Sequence, residues 1–459
     1  VAVLLSYLER LNYTYDDKYL LTATFRRDAS SRVKKENRWG NFPSISAAWR
    51  ISKERFFAPV KWVDDLKVRA SYGTLGSLNI GYWDYAPVIN TFLTATFGTE
   101  QLQQNAAIQT NLVNENLKWE SQTQLDFGFD ATAFNNRLTF SADYYISKTK
   151  DVLTAMPILM TTGNGAGNPV VNAASLENRG FEFSLGWREK RKDFSYYANL
   201  NFSTVKNKVT SLGYGRVDII SGQGRTAVGR PIGEFYLIKT DGIFQNDDEI
   251  QSYKNSEGKV IQPDAKPGDI KYIDFNDDGK ITDADRQVLG SPHSLFQAGI
   301  NMGFAWKNFD LKMNWFMDIG SDVFNATKQY MIGADAAGNG DSNYLKNFNY
   351  WTPERPTNIP RPIAGKITNR RDSDYWLENG SWVKLKTLSI GYTIPEKLLH
   401  KIHFNTCRVY VTCQNLLTIS SFSMQDPEYR KDNIWNKGYR GVAAYPNPFA
   451  INFGVQFQF

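Results

Sequence analysis

The end of the chain alternates strictly between two kinds of side chain. From Ile451 to Phe459 every odd position carries a large apolar residue, and the positions between them carry Asn, Gly or Gln. A period of two indicates a β-strand whose two faces meet different surroundings. The same alternation recurs along the whole chain. Because transmembrane β-barrels end on such a strand, with an aromatic residue at the membrane boundary, the pattern predicts a barrel.

The composition agrees with an apolar outside and a wet inside. Aromatic residues make up 14% of the 459 residues, yet the mean hydropathy is −0.45. The sequence contains no apolar run of about 18 residues, which excludes a transmembrane helix but not transmembrane strands. The 53 basic and 47 acidic residues leave a net charge of +6. Positive and negative charges are too evenly balanced to indicate a nucleic-acid partner.

Thirteen segments show the alternation clearly, and most have the length of about 9–11 residues that a tilted strand needs to cross a bilayer. They are 7–15, 19–27, 43–52, 66–73, 120–134, 138–148, 180–188, 194–206, 296–306, 309–319, 382–394, 407–418 and 449–459. Short turns join most of them in pairs, and long segments follow at 77–118, 149–176, 207–232, 321–380 and 419–447. We therefore predict an all-β, antiparallel transmembrane β-barrel with short periplasmic turns and long extracellular loops.

Two parts of the pattern are less regular. Residues 233–244 form a further candidate strand, which would need 268–274 as its partner, so the chain supplies 13–15 strands. In 382–394 the apolar positions change from odd to even near Lys386 and Thr387, which predicts a β-bulge. Neither 13 nor 15 strands close an even-numbered barrel, so further strands are expected before residue 1. A soluble β-sandwich also alternates, but strand length and loop asymmetry argue against it.

Short motifs follow one another through nearly all of the chain. They are Arg26–Arg32, Asn37–Ser44, Ala48–Glu54, Leu66–Gly73, Asn116–Glu120, Asn178–Glu182, Gly268–Asp274, Leu377–Lys386 and Gln414–Thr418. Each motif is weak alone. In this order they make the chain resemble the C-terminal barrel portion of the SusC/RagA-type TonB-linked (TonB-dependent) outer-membrane transporters.

The resemblance implies a multi-pass barrel of about 22 strands in the outer membrane of a Gram-negative bacterium, with residues 1–459 as its C-terminal part. It implies import of oligosaccharides or peptides. It also implies a SusD-like surface lipoprotein that closes the extracellular mouth, and energy supplied through TonB. The plug domain, the TonB box and the first barrel strands are expected outside this chain.

One loop, 274–285, carries the spacing of a calcium-binding loop. Oxygen-bearing side chains stand at loop positions 1, 3 and 5, a glycine at 6, a backbone carbonyl at 7 and a carboxylate at 12, namely Asp274, Asn276, Asp278, Gly279, Lys280 and Asp285. Such spacing wraps oxygens around one hard cation. We predict a structural Ca²⁺ site in a long extracellular loop, weakened because Asp285 replaces the usual glutamate. The alternative is an acidic turn closed by Asp-Gly.

Catalytic constellations are missing from the sequence. There is no nucleophile elbow, no glycine-rich phosphate loop and no activated cysteine. His400 and His403 stand three residues apart after Pro395, but they fit a solvated turn better than a metal pair. We predict that the protein is not an enzyme.

Two of the long loops are rich in aromatic residues. Tyr82, Trp83 and Tyr85 lie in one, and Tyr344, Tyr350, Trp351 and Trp376 lie in another. Aromatic faces stack on sugar rings and bury peptide side chains. We predict substrate contacts for Tyr82, Trp83, Tyr85, Tyr350 and Trp351, although such residues equally form a lipoprotein interface or pack loops.

These observations favour an active importer that works with outer-membrane lipid around it. A surface all-β glycan-binding protein is the second hypothesis, and dependence on detergent for solubility separates the two. A passive porin is the third, and it would carry no plug and need no energy.

Overall fold

The computed structural model describes residues 2–109, 112–156, 168–213, 215, 218–332, 349–362, 368–399, 405–424, 426–428, 432–433, 435–441 and 445–458. Tyr344, His400, His403 and Phe459, which were singled out above, lie outside these ranges. Within the ranges, no helix combines the length and the apolar character needed to cross a bilayer.

The strands are numbered in chain order. They are β1 (Leu4–Tyr15), β2 (Tyr19–Ser30), β3 (Trp39–Arg50), β4 (Val63–Ser77), β5 (Ile89–Phe97), β6 (Leu102–Gln109), β7 (Glu120–Ala133), β8 (Leu138–Ala155), β9 (Val170–Arg191), β10 (Phe194–Leu212), β11 (Asp218–Ser221), β12 (Gly224–Ala227), β13 (Glu234–Ile238), β14 (Thr240–Ile243), β15 (Ile270–Tyr272), β16 (Arg286–Gly290), β17 (Phe296–Trp306), β18 (Phe309–Ile319), β19 (Asp322–Asn325), β20 (Leu377–Asn379), β21 (Trp382–Thr393), β22 (Thr406–Ser420), β23 (Asp432–Asn433), β24 (Asn436–Lys437), β25 (Tyr439–Arg440) and β26 (Ala450–Gln458). The α-helices are short: α1 (Asp247–Ser252), α2 (Ala326–Ile332) and α3 (Glu396–Leu399).

Thirteen of the described strands form one sheet, in the order β1-β2-β3-β4-β7-β8-β9-β10-β17-β18-β21-β22-β26. Neighbours with a described register run antiparallel, as in β1 with β2 and β17 with β18. The predicted all-β antiparallel fold and its thirteen long strands are therefore confirmed. The candidate segments 233–244 and 268–274 do not join this sheet. Residues 234–238 pair with β12 and β16, while β14 pairs with β15.

The connections alternate between short and long, as predicted. Short hairpins join β1 to β2, β7 to β8, β9 to β10 and β17 to β18. The first of them has Asp16 and Asp17 at φ 50° and 53°, and the second has Asn135 and Asn136 at φ 58° and 59°. These left-handed residues give the turn the twist of the flanking strands. We call this end of the strands the short-turn end and the opposite end the long-loop end.

The chain forms two compact units, 1–186 with 205–217 and 227–230, and 187–204 with 218–226 and 231–459. In the first unit, cross-strand register places Tyr72, Leu125 and Ile146 in one row of the sheet. The residues next to them in sequence, such as Ser71 and Asp126, point to the opposite side of the sheet. We call these two sides the apolar face and the polar face.

The second unit has the same two faces. Met302, Met313 and Leu388 lie in one apolar row, and Asn301, Asn314 and Thr387 lie in the next row on the polar face. The apolar face of β26 is largely uncovered, with Phe453 81% exposed. Opposite Lys386 the register of β21 with β22 shifts, which confirms the predicted bulge.

Candidate functional site

The polar face of the first unit carries a shared ion-pair row. The guanidinium of Arg69 on β4 donates to Asp130 (3.1 Å) and Asp126 (3.4 Å) on β7 and to Asp143 (2.8 Å) on β8. Gly128 stands between Arg69 and Asp143 in the cross-strand row. A Cβ there would lie 2.5 Å from Asp143 Oδ1 and still nearer the Arg69 guanidinium carbon. The missing side chain is what lets Arg69 reach across a whole strand.

Replacing Gly128 with alanine is expected to displace Arg69 from Asp143 and to lower the free energy of unfolding by about 1–3 kcal/mol. The midpoint of urea unfolding in lipid vesicles measures the effect. Gly299→Ala is the matched control, because the nearest atom to its added Cβ would be 3.7 Å away. Equal midpoints for the two variants would show that the row tolerates a methyl group.

The second unit repeats this device on its own polar face. Arg408 on β22 reaches Asp310 on β18 with two hydrogen bonds, of 2.8 and 2.6 Å, across Gly391 on β21. Bidentate pairs of this kind are stronger and more directional than single contacts. Each unit thus presents a wall of paired charges and amides, which suits a passage for polar solutes.

An ordered aromatic loop follows β4 in the first unit. Arg32 donates to the carbonyl oxygens of Leu78 (3.3 Å) and Ile80 (3.1 Å), and its guanidinium lies 5.0 Å from the centre of the Tyr82 ring. The side chains of Tyr82 and Trp83 are 55% and 62% exposed. By contrast, Tyr85 packs against a buried cluster of Val33, Ile80 and Leu117. Two of the three predicted contact residues in this loop therefore face solvent.

A cavity of about 460 Å³ with a mixed polar and apolar lining lies in the first unit, at the long-loop end of β2 and β4. Its lining includes Arg26, Asp28, Arg32 and Trp119. The Trp119 indole donates to the carbonyl of Arg38 at 2.8 Å, which fixes the ring. Charged groups beside a fixed aromatic plane can bind either a sugar or a peptide.

The long connections of the second unit fold into a loop core with its own buried cluster. It contains Phe235, Leu237, Ile238, Ile270, Tyr272, Phe324, Ala326, Ile332 and Trp376. Trp351 is only 7% exposed, and its indole donates to the Gln245 side chain at 2.8 Å. Tyr350 packs against the cluster as well. The structure therefore places Tyr350 and Trp351 in the packing of the loop core, apart from the solvent-facing Tyr82 and Trp83.

Asp269 joins two distant segments of this loop core. Its carboxylate receives two hydrogen bonds from Arg361 (2.7 and 3.1 Å) and one from the Asn369 amide (3.2 Å). The preceding Gly268 has φ +91°, and an added Cβ would lie 2.5 Å from the Trp351 ring. A buried carboxylate with several donors is a strong local clamp.

A buried ion cluster anchors the last long loop to β21. Lys384 is 2% exposed, and its ammonium donates to Asp426 (2.6 Å) and Glu428 (2.8 Å). Lys386 contacts the second oxygen of Glu428, and the buried Arg440 donates to the Asp426 carbonyl. Asp426 also accepts the backbone N–H of Glu428 and of Asn447, each at 3.0 Å.

The cluster shifts the titration of its carboxylates. Burial raises the pKa of Asp426, but the hydrogen bonds from Lys384 and from two backbone amides outweigh burial, so the pKa lies below its ordinary value. The pKa of Glu428 is lowered in the same way, with burial opposed by Lys384 and Lys386. Both groups are therefore charged at neutral pH.

The predicted calcium loop is closed by its own backbone. Asp274 accepts the N–H of Asp278 (3.2 Å) and Gly279 (2.7 Å), and Asp285 accepts those of Phe275 (3.0 Å) and Thr282 (2.6 Å). Among the residues that the structure describes, no three Asp, Glu, His or Cys side chains converge as metal ligands do. Asp274, Asn276, Asp278, Asp285 and the Lys280 carbonyl supply the right oxygens, and binding would require some of them to exchange amide partners for the ion.

Sequence reasoning missed the two clusters that hold the loops. Lys384 and Asp269 lie inside the motifs named above, but their partners Asp426 and Arg361 are distant in sequence. The sequence gives one local indication of the ion cluster, which is a lysine between Val383 and Leu385 in a strand. A charge at a buried strand position needs a partner of opposite charge.

The comparisons with known proteins agree on one family. The model described as "TonB dependent receptor-like, beta-barrel" matches residues 7–416. TonB-dependent receptor P3 of Formosa agariphila is 34% identical over 473 residues, which cover 99% of this chain and 45% of that protein. TonB-dependent receptor SusC of Bacteroides thetaiotaomicron is 28% identical over 475 residues, covering 99% and 44%. The chain thus spans about half the length of the curated relatives it matches.

The fold has a counterpart among solved structures. The structure of the RagAB peptide transporter superposes with a TM-score of 0.83 at 24% identity, covering 100% of this chain and 47% of the matched one. A second structure, of the RagAB peptide importer in a closed state, gives a TM-score of 0.81. At this identity the likeness establishes the barrel fold, as predicted.

Proposed function

Because this chain belongs to the TonB-dependent receptor-like β-barrel family, with SusC and RagA-type relatives along its whole length, we propose that it is the C-terminal barrel part of an active importer. The family lies in the outer membrane of Gram-negative bacteria, as predicted, and its members are transporters rather than enzymes. The proposed cargo is an oligosaccharide or a peptide. The proposed partners are a SusD-like lipoprotein lid and TonB, which would act through a plug and TonB box elsewhere in the protein.

The paired charges on the polar face carry this proposal. A surface glycan-binding protein would have no need for a wall of Arg–Asp pairs opposite an exposed apolar face, whereas a membrane passage needs both. A passive porin would share the wall. The long-loop core of the second unit supports the importer instead, because a folded loop assembly can hold a cargo and a lid.

Uptake of labelled peptides and oligosaccharides by cells that express the whole protein tests the proposal. We expect uptake to depend on TonB and the whole protein to co-purify with a surface lipoprotein. Uptake that persists without TonB would favour the porin, and binding without uptake would favour the surface glycan-binding protein.

Replacing Trp83 with alanine is expected to weaken cargo binding about 10-fold, because an exposed aromatic plane contributes roughly 1–1.5 kcal/mol to stacking. Isothermal titration of the purified whole protein measures it. Trp62→Ala is the matched control, since Trp62 is 59% exposed but precedes β4 at the short-turn end. The same loss in both variants would argue against a cargo contact at Trp83.

The Ca²⁺ site at 274–285 is also a proposal, supported by the donor set. Asp277 and Gly279 have left-handed backbone, with φ 60° and 73°, and the Asp285 carboxylate at the end of the loop accepts the N–H of Phe275 at its start (3.0 Å). A bound ion would stiffen this extracellular loop and neutralise its carboxylates.

Calcium titration of the purified protein is expected to release heat with a Kd of about 10⁻⁴–10⁻³ M. Asp274→Asn should weaken binding by about 10-fold or more, since it removes a charged ligand at loop position 1. The exposed Asp264, which lies outside the loop, serves as the control through Asp264→Asn. Absence of calcium heat in the unaltered protein would remove the site.

A further inference from the structure

Five cationic side chains gather near the long-loop end of three adjacent strands in the first unit. They are Lys148 and Lys150 on β8, Arg179 on β9, and Lys206 and Lys208 on β10, and all five are exposed. We call this group the basic patch. Nothing in the transport proposal uses it, because cargo would move along the opposite, polar face.

The register puts the β8 and β9 members of the basic patch on the apolar face. Lys148 pairs with Thr123, two positions from the apolar row of Ile146 and Leu125. The rings of Phe140 and Phe183 lie 6.4 Å apart, so the odd positions of β9 share the face of the even positions of β8. Arg179 is therefore on the apolar face.

The β10 members lie on the same face. Phe202 stacks with Phe296, which belongs to the apolar row of β17, so even positions of β10 carry the apolar face. Further along, the Asn207 amide donates to Asn178 on the polar face at 2.6 Å. Lys206 and Lys208 flank Asn207 and point the other way.

The basic patch lies at one height along the strands. Each of its members is about 10–14 residues from the short-turn end, which at about 3.3 Å per residue and a tilt of about 40° is about 25–35 Å. The apolar band of an outer-membrane barrel is about 25 Å tall. Below the patch the same face carries Tyr144, Phe181 and Leu185. An apolar band of this height that starts at the short-turn end would end at the basic patch, which would place the cations at the head groups of the outer leaflet.

The basic patch has an excess of positive charge. Glu177 is its one acidic member among the described residues, and it bridges Lys148 (3.6 Å) and Arg179 (2.7 Å). Lys150, Lys206 and Lys208 have no carboxylate partner in the part of the chain that the structure describes. The hydroxyls of Thr74 and Thr123, 3.2 Å apart, lie beside Lys148 on the same face. Lysines without anionic partners, next to hydroxyl donors, are suited to phosphate oxygens.

We propose that the basic patch binds the phosphates of a lipid head group in the outer leaflet. The ligand is a membrane lipid with at least two phosphate charges. The three ammonium groups of Lys150, Lys206 and Lys208, which have no carboxylate partner among the described residues, can neutralise more than one phosphate. The acyl chains would lie against the apolar face below. Such a contact would hold this wall of the barrel at a fixed depth in the membrane, independently of which cargo is carried.

Native mass spectrometry of the purified whole protein, titrated with bisphosphorylated lipid A, tests this inference. We expect Lys150→Gln, Lys206→Gln and Lys208→Gln together to raise the apparent Kd at least 10-fold. The matched control is Lys53→Gln, Lys190→Gln and Lys192→Gln, which removes the same charge at the short-turn end. It should leave the Kd unchanged.

Two further arms use the unaltered protein and so do not depend on the variants folding. Dephosphorylated lipid A should bind at least 10-fold more weakly than the bisphosphorylated form. Inorganic phosphate in large excess should not displace the lipid. Equal binding of the two lipids, equal losses in the two triple variants, or displacement by inorganic phosphate would each overturn the proposal.

Discussion

Gly268→Ala is expected to lower the free energy of local unfolding of the second unit's loop core by about 2–5 kcal/mol. The residue has φ +91°, which costs an L-amino acid about 1–2 kcal/mol. Its added Cβ would also lie 2.5 Å from the Trp351 ring and 2.9 Å from Arg361 Cβ. Overpacking of this kind adds about 1–3 kcal/mol. Because Arg361 is half of the clamp on Asp269, the clamp should open as the ring is pushed away.

Hydrogen–deuterium exchange measures this opening at the amides of Phe244 and Arg361. Both donate across the affected contact, to Asp269 (3.0 Å) and Gly268 (2.9 Å). Gly258→Ala is the matched control, since Gly258 has φ +82° but nothing within 4 Å of the added Cβ. We expect exchange to rise about 10- to 100-fold more in Gly268→Ala than in the control, the ratio that corresponds to the overpacking alone. Similar rates in both would mean that Trp351 moves aside without consequence.

Lys384→Met is expected to release the last long loop. Removing Lys384 leaves the buried Asp426 charged without its ammonium partner, while Glu428 keeps its contact with Lys386, at a cost of about 3–5 kcal/mol. The amides of Glu428 and Asn447 both donate to Asp426, so their exchange reports on the anchor directly. Their exchange should accelerate by about 100-fold or more.

Two variants separate a lost ion pair from general damage at this position. Lys386→Met removes a lysine whose side chain is 26% exposed, and Glu428 keeps its ion pair with Lys384. The increase in exchange should therefore be much smaller than in Lys384→Met. Adding Asp426→Asn to Lys384→Met removes the stranded charge and should recover part of the protection. A double variant as unstable as the single one would contradict the ion-pair explanation.

Acidification is expected to release the same loop. The folded-state pKa values of Asp426 and Glu428 lie below their ordinary values, so their stabilisation is complete above about pH 4. It is lost as the pH falls through those lowered values. Exchange at Glu428 and Asn447, corrected for its intrinsic pH dependence, should therefore be flat from pH 8 to about pH 5 and rise only below about pH 4. Release near neutral pH would assign the anchor to another group.

Much of the strand pattern was predictable because it is local. The alternation in 296–306 and 309–319 matches β17 and β18 residue for residue, and the tight turn between them needs only Lys307 and Asn308. Likewise the change of phase near Lys386 predicted the bulge. The segments 233–244 and 268–274 were harder, since short apolar strands look alike whether they enter the large sheet or a small loop sheet.

Some properties of the candidate site residues were also predictable from the sequence, and others were not. Exposure of Tyr82 and Trp83 follows from a loop held by Arg32, and the sequence pointed to this loop through its aromatic residues. The burial of Trp351 could not be inferred, because the groups that cover it, Gly268 and Gln245, lie far away in sequence.

The sequence alone determined that this protein is an all-β chain with one face for hydrocarbon and one for water, and that its loops are long at one end. Period-two alternation and turn length are properties of neighbouring residues, so they can be read without a fold. Only the tertiary structure decided how the loops are held, through Lys384 with Asp426 and Asp269 with Arg361. Such pairs join residues that the chain must first bring together, and a sequence pattern carries no distance between them.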